Sequence, residues 1–333
     1  MKTTLARSFV LAAVAIATAA AAADAQSAPS AVAPVTAWVT TRGGEQVQGQ
    51  LAATALHFAV GDEVRVVAPA DLLSFHSAAP ANEREQAAIA AALPRLDDPA
   101  AGAAAAAELV EIGLPVLTPL LDSYPDLDGH QPDTRYRLFE RLIPGFADAR
   151  DRSLDLVRLR NGETLRAHWQ PAALEITTAA GKRVVAGDAV RRLAIRQARC
   201  ERSFELQAMR HCTYVSWLDT GLAVTPSSKL VADARGYVRL SFAEDGWATG
   251  PDGILEPLPG KRKLQEGFRW GSVLYGVGVG GERRFAGSHL EAKDLGDGRL
   301  YFVINDNEHW QNNIGSYRVH LTATDAFDLG EPQ

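Results

Sequence analysis

"GRLYFVINDNEHWQNNIGSYRVHL", Gly298–Leu321, sets two short strand-like runs on either side of a loop crowded with side-chain oxygen. The flanking runs "RLYFVIND" and "GSYRVHLTA" are rich in β-branched and aromatic residues and are bounded by turn formers, which is how strands read in sequence. Working outward, runs of the same kind recur from Tyr214 onward: "VSWLDTGLAV", "SKLVADA", "YVRLSFAEDGWA", "SVLYGVGVG" and "RRFAGSHLEA". Their spacing of roughly 8 to 12 residues, without helical periodicity, predicts an all-β sandwich of the jelly-roll or galactose-binding-like kind over residues 210–325. Four of the six tryptophans (Trp217, Trp247, Trp270, Trp310) fall in this stretch. An indole buries more area than any other side chain, so most of them belong to a core. Trp310 is the exception, because it sits in the polar loop.

Upstream, "WVTTRGGEQVQGQLAATALHFAVGDEVRVVAPADLLSFH" (Trp38–His76) and "VRLRNGETLRAHWQPAALEITTAAGKRVVAGDAVRRLAI" (Val157–Ile195) share one plan. Each has a strand, a Gly-Glu turn (Gly44-Glu45, Gly162-Glu163), a strand, an Ala-Leu start to the next strand (Leu56, Leu174), a glycine turn and a further strand. Such repetition means one small antiparallel β unit used twice, here over 36–76 and 155–196. Whether the copies pair or stand apart is left open by the pattern. Between them, residues 82–148 are helical in composition, with Asp98-Pro99 as a cap and first turn, Gly113 as a stop, and further helices near "VLTPLLDSY" and Asp133–Ile143. The Leu-Asp-Asp-Pro entrance and the Gly-Leu-Pro-Val-Leu hinge resemble a HEAT-type repeat, which implies a spacer or a surface for docking another envelope protein; a plain helical insert fits the same residues.

Residues 1–25 carry Lys2 and Arg7, then an alanine-rich apolar run, then Ala23-Asp24-Ala25. This is the layout of a cleaved signal peptide, with a membrane anchor as the rival reading. No later stretch is long and apolar enough to span a bilayer, so the expectation is a periplasmic or secreted protein without a membrane span after cleavage. A net charge of −6 spread along the chain leaves no basic footprint for nucleic acid. The two cysteines, Cys200 and Cys212, lie close in sequence, and in an oxidising compartment a local disulfide is expected, with a free thiol or a metal pair as the rival reading, though one neighbouring histidine, His211, does not make a four-ligand site.

The segments "WLDTGLAVTPSSKLVADARGYVRLSFAEDGWATGPDG", "GSVLYGVGVGGERRFAGSHL" and "GRLYFVINDNEHWQNNIGSYRVHL" together resemble, from Trp217 to Leu321, the calcium-dependent galactophilic bacterial lectins of the LecA type and related exported proteins. The resemblance implies a calcium ion in the loop after Ile304, bridging protein to sugar hydroxyls. Carried over, Asp306 supplies a carboxylate oxygen, Asn312 and Asn313 their amide oxygens, and backbone carbonyls near His309 or Trp310 and at Thr249 complete the protein side. Asp306, Asn307, Trp310 and Asn312 would face the sugar, with Trp310 stacking on its ring. Calcium takes about six to eight hard oxygen ligands, and these donors are of that kind. The sugar-specificity run of the lectins, His-Pro-x-Gln, is replaced here by "ILEPLPGKRK", so the resemblance does not carry galactose preference with it. Asp and Asn are also ordinary turn residues, and a purely structural turn is the competing reading of the same loop.

Other chemistry is absent from the sequence. Gly276–Gly281 matches G-x-G-x-x-G but is followed by "ERRFAG" with no helix start to receive a phosphate. No histidine pair has zinc-ligand spacing and no G-x-S-x-G elbow occurs. The expectation is a binding protein and not an enzyme, with calcium as cofactor and carbohydrate as partner; an envelope scaffold whose lectin-like domain is silent is the alternative.

Overall fold

The computed structural model describes residues 34–96, 98, 101–123, 153–213, 217–240, 247–254, 267–278, 281–306 and 312–330. The chain divides into two units, Met1–Pro34 and Val35–Gln333, and every element below belongs to the second. The expected signal peptide, the helix expected at 133–143 and the site candidates Asn307 and Trp310 lie outside the described residues.

The two sequence copies interlock. The first comprises β1 (Val35–Thr41), β2 (Gln46–Leu51), β3 (Leu56–Val60), β4 (Glu63–Val67) and β5 (Leu72–His76). After α1 (Glu83–Ala92), α2 (Gly102–Ile112) and α3 (Leu117–Asp122), the second comprises β6 (Asp155–Leu159), β7 (Thr164–Trp169), β8 (Leu174–Thr178), β9 (Gly181–Val185) and β10 (Val190–Gln207). The pairings across the copies are reciprocal. Strand β2 pairs with β8 (Leu51↔Ile176) as β7 pairs with β3 (Trp169↔Phe58), and β5 pairs with β6 (Leu72↔Leu159) as β10 pairs with β1 (Val190↔Thr41). At the centre β5 meets its own counterpart β10, with Phe75 opposite Leu193. Short strands with one apolar face cannot bury it alone, and exchanging edges gives both copies one core of Val39, Leu51, Phe58, Phe75, Val157, Ile176 and Leu193. Gly44 and Gly162, at φ 78° and 87°, hold equivalent hairpin turns that a Cβ would strain.

The helices cover one end of this unit. Asn82 caps α1 reciprocally: its Oδ1 accepts from Glu85 N at 2.9 Å, and Glu85 Oε2 accepts from Asn82 N at 3.0 Å. The expected Asp98-Pro99 cap and first turn is corrected: α2 begins at Gly102 with Ala101 at the N-cap and no side-chain cap bond, while Asp98 Oδ1 accepts from Ala101 N ahead of the helix; Gly113 at φ 79° follows the helix, as expected of a stop. The HEAT-type expectation finds no support among the described residues. Among the described residues the helices are only ten, eleven and six residues long. Pro94 and Pro115 interrupt the helical pattern. The pieces pack through Ile89, Leu96, Leu109, Leu117 and Leu120 onto Leu156 of β6, and so form a cap on the β unit.

The sandwich adds β11 (Leu218–Val224), β12 (Lys229–Arg239), β13 (Ala248–Thr249), β14 (Val273–Val277), β15 (Arg284–Phe285), β16 (His289–Ala292), β17 (Gly298–Ile304) and β18 (Ile314–Asp328). One sheet runs β10–β18–β12–β16, with β13 on the end of β12; the other runs β15–β14–β17–β11. Phe204, Leu222, Leu230, Phe302, Tyr317, Val319 and Leu321 fill the space between them. Strand β10 is shared: its first half closes the repeat unit, and its second half pairs with β18 from Arg196↔Phe327 to Gln207↔Ser316.

That long strand also corrects the disulfide. Cys200 and Cys212 are not joined by a disulfide. Cys200 lies within β10 opposite Ala323, whereas Cys212 lies beyond its end, bridged to Ile304. At ~3.3 Å per residue, the strand from Cys200 to Gln207 carries the chain on the order of 20 Å, far beyond the ~7 Å Cα separation a disulfide tolerates. Burial pushes the Cys200 thiol up to about 11, with Asp328 adding to the effect.

Candidate functional site

The oxygen-rich loop joins β17 of one sheet to β18 of the other, at one end of the sandwich. Ile304 is the last residue of β17 and points into the core; the chain then pairs with the turn before β14, Asn305 N donating to Ser272 O at 2.9 Å and Gly271 N to Asn305 O at 2.8 Å. Asp306 is pinned by Thr213, which receives a bond from Asp306 N at 3.0 Å and donates its hydroxyl to Asp306 O. On the far side of the loop Asn313 donates its Nδ2 to the Asp306 carboxylate and, at 3.3 Å, to Ala208 O. Asn305, Asp306 and Asn313 are 2%, 3% and 1% exposed, so this is an interior polar cluster and not a solvated turn.

Its unusual property is a surplus of acceptors. The Oδ1 atoms of Asn305, Asn312 and Asn313 are all buried, and among the described residues no donor reaches any of them. Asn305 Nδ2 is spent on Arg269 O at 3.1 Å and Phe268 O at 3.4 Å. Buried acceptors without donors each cost about 1–3 kcal/mol, and a bound water or a cation supplies what such oxygens lack.

The turn after β13 is joined to this loop only indirectly, through Tyr317 and Gly271. Thr249 O, Gly250 O and Gly271 O lie 3.1, 2.9 and 2.9 Å from the hydroxyl of Tyr317, which donates into this group of carbonyls. Burial, and then Asp252, drive that phenol far above its usual range. Asp252 holds the turn from outside by accepting from Ser288 N at 2.7 Å and Ser288 Oγ at 2.9 Å.

Of the residues read from the sequence, the structure thus brings Asp306 and Asn313 into contact and buries the Asn312 oxygen. Thr249 O meets the Tyr317 hydroxyl, not Asp306 or Asn313. Asn305 and Tyr317 were missed. Asn305 carries the same amide chemistry as its neighbours and was legible on that ground; Tyr317 read as a core aromatic, with no local sign that its hydroxyl serves distant carbonyls. Among the described residues no group of three or more His, Cys, Asp or Glu is placed to hold a metal. The donor set here is of another make, one carboxylate with neutral amide oxygens, which fits a hard cation such as calcium and not a soft one.

A separate cleft of about 370 Å³ lies where α2, β1 and β17 meet, lined by Trp38, Glu111, Arg192, Arg299 and Tyr301 among others. Glu111 bridges Arg299 Nε at 2.5 Å and Arg192 Nη1 at 3.2 Å, and Arg299 Nη1 also reaches Asp219 at 3.0 Å. Burial works to raise the Glu111 carboxyl, but Arg299 and Arg192 outweigh it and hold it down at about 2. These charges pair with one another across the junction.

No family model matches the chain, and no curated protein matches it. Nine chains of solved structures do. One of them, described as "EclA N-terminal domain; PllA-like lectin", is 21% identical over 36% of this chain and 93% of its own length, with a TM-score of 0.28. At that score the likeness carries no argument, and the β-sandwich stands on its own strand pairing.

Proposed function

We propose that this is an exported, non-catalytic carbohydrate-binding protein whose C-terminal sandwich holds calcium at Asp306, Asn312 and Asn313 and presents it to sugar hydroxyls. The observation that carries the reading is the cluster of buried amide oxygens without donors beside a buried carboxylate. A cation beside Asp306 would supply what such oxygens lack. Calcium's preference for about six to eight oxygens leaves coordination positions for ligand hydroxyls beyond what these side chains supply. Asn313 presents its NH₂ to Asp306; binding requires its oxygen there instead, a half-turn of the terminal amide. With a single carboxylate the site is weakly charged, so affinity is modest and repeated presentation would raise it.

Calorimetric titration with calcium chloride, followed by a glycan array with calcium and with chelator, tests the reading. Binding that needs calcium and disappears in Asp306→Ala supports it; no heat with calcium and a silent array sink it. A second reading, an envelope scaffold, draws on the edge strands β4 and β9, which expose Val64, Val66 and Val184. Capture of a protein partner by the silent chain would favour that one.

A further inference from the structure

We propose that β4 is a self-association edge: a second copy of this chain adds its own β4 antiparallel to it, centred on Val64, so that Glu63 of each copy lies opposite Arg65 of the other. The exchange of strands between the repeats puts the sheet in the order β9–β8–β2–β1–β10–β5–β6–β7–β3–β4, symmetric about the central β10–β5 pair. Its two ends are therefore equivalent by repeat. Among the described residues β4 is paired on one side only, by β3, and β9 on one side only, by β8. Both ends are fastened in the same way. Arg65 of β4 bridges Glu163 at 2.5 Å and Arg183 of β9 bridges Glu45 at 2.7 Å, so the edge strand of one repeat is held by the Gly-Glu turn of the other.

The ladder shows which backbone groups β4 leaves open. Gln170 N donates to His57 O at 2.9 Å, so in β3 His57 and Ala59 turn their backbone toward β7, and Leu56, Phe58 and Val60 turn theirs toward β4. Their partners Val67, Arg65 and Glu63 bond inward in turn, and Val64 and Val66 point N–H and C=O away from the sheet. Both valines are more than half exposed, at 52% and 59%. Such an edge is a template for another strand unless its side chains forbid one.

Here the side chains choose a second β4. Antiparallel pairing about Val64 matches outward backbone to outward backbone, sets valine against valine on one face and forms two Glu63–Arg65 pairs on the other. Arg65 spends Nη1 and Nη2 on Glu163, which leaves Nε for the Glu63 of the second copy. Strand β9 has Lys182 and Arg183 but no carboxylate, so two β9 strands form no ion pair, and about Lys182 they would set lysine against lysine. A β4–β4 pair is two-fold and closes, whereas β4 on β9 would leave a free edge at every step. One short strand pair covers less than the roughly 1,200 Å² of a standard interface, so the dimer is weak, with a Kd on the order of 100 μM.

Sedimentation equilibrium of the full chain over a concentration series, without calcium, tests this in wild type, Glu63→Lys, Arg65→Glu and Val64→Pro. Wild type should pass from monomer to dimer. Glu63→Lys and Arg65→Glu each oppose like charges and should weaken the dimer about tenfold or more, and an equimolar mixture of the two, which restores both ion pairs, should dimerise as wild type does. Val64→Pro removes an outward N–H without touching the β3 ladder and should stay monomeric. A wild type that is monomeric at millimolar concentration, a dimer indifferent to the substitutions, or a mixture no better than its components overturns the proposal. Open-ended assemblies overturn it as well, since they require β4 on β9. If Arg65→Glu, which also loses the bridge to Glu163, fails to fold by circular dichroism, Glu63→Lys and Val64→Pro decide alone. Calcium takes no part, so failure here leaves the calcium reading where it stands.

Discussion

Asn313 donates its side-chain amide to the Asp306 carboxylate across a loop that joins the two sheets of the sandwich. The bond ties together two residues that would otherwise each present a buried polar group. Asp306→Ala leaves Asn313 with only the longer contact to Ala208, so its cost in chelator should be about 1–3 kcal/mol, read from urea unfolding. Calcium should raise the Tm of wild type and leave that of the variant unchanged. Equal calcium shifts in both would remove Asp306 from the ligand set.

Both cysteines should be thiols in the purified protein. Ellman's reagent should titrate two thiols after denaturation and react slowly before it, because Cys200 and Cys212 are 5% and 0% exposed and the Cys200 thiol is shifted up by burial. Adding reductant should leave the Tm in place. A mass two hydrogens short of the reduced chain would contradict the strand geometry given above.

What the sequence revealed and what it hid have physical causes. The repeat was legible because Gly44-Glu45 and Gly162-Glu163 mark the same turn twice, and its strands alternate cleanly. The continuation of β10 past Ile195 was not. Arg199, Glu201, Ser203 and Glu205 face outward and are exposed, so only Cys200, Phe204 and Leu206 betray the inner face, and the run reads as a polar linker. The same oversight produced the disulfide, since nearness in sequence means distance in space once the chain is extended. At the site, Asp306, Asn312 and Asn313 announced themselves by residue type. Tyr317 did not, because its partners are backbone carbonyls far away in sequence, and no side-chain pattern encodes those.

Glu85 and Arg191 form a buried, two-pronged pair, Nε to Oε1 at 2.8 Å and Nη2 to Oε2 at 2.6 Å, with both side chains 2% exposed. Arg191 also donates to Ser77 O and Ala79 O, so α1 and the chain leading to it are fastened to β10 at one point. Removing one member of a buried pair strands the other charge, at about 3–5 kcal/mol. Glu85→Ala should show a loss of that size in urea unfolding and should also lose the reciprocal cap on Asn82. A loss below about 1 kcal/mol would mean that Arg191 finds water or another partner.

Glu111 gives the junction between α2 and the sandwich its pH dependence. Its carboxyl titrates near 2 in the folded chain against an ordinary 4.5, so the folded state favours the ionised form. The stabilisation is therefore fully present above about pH 4.5 and is lost as pH falls through the window toward 2. Its side chain keeps 35% of its surface accessible, so water screens the bridge to Arg299 and Arg192 and the loss should be modest, about 1 kcal/mol. Glu111→Gln should flatten this part of the acid limb in a plot of unfolding free energy against pH between 5 and 2, while leaving calcium affinity at neutral pH unchanged. An acid limb as steep in the variant as in wild type would assign that loss to other carboxylates, and Asp219, which shares Arg299, would be the next to substitute.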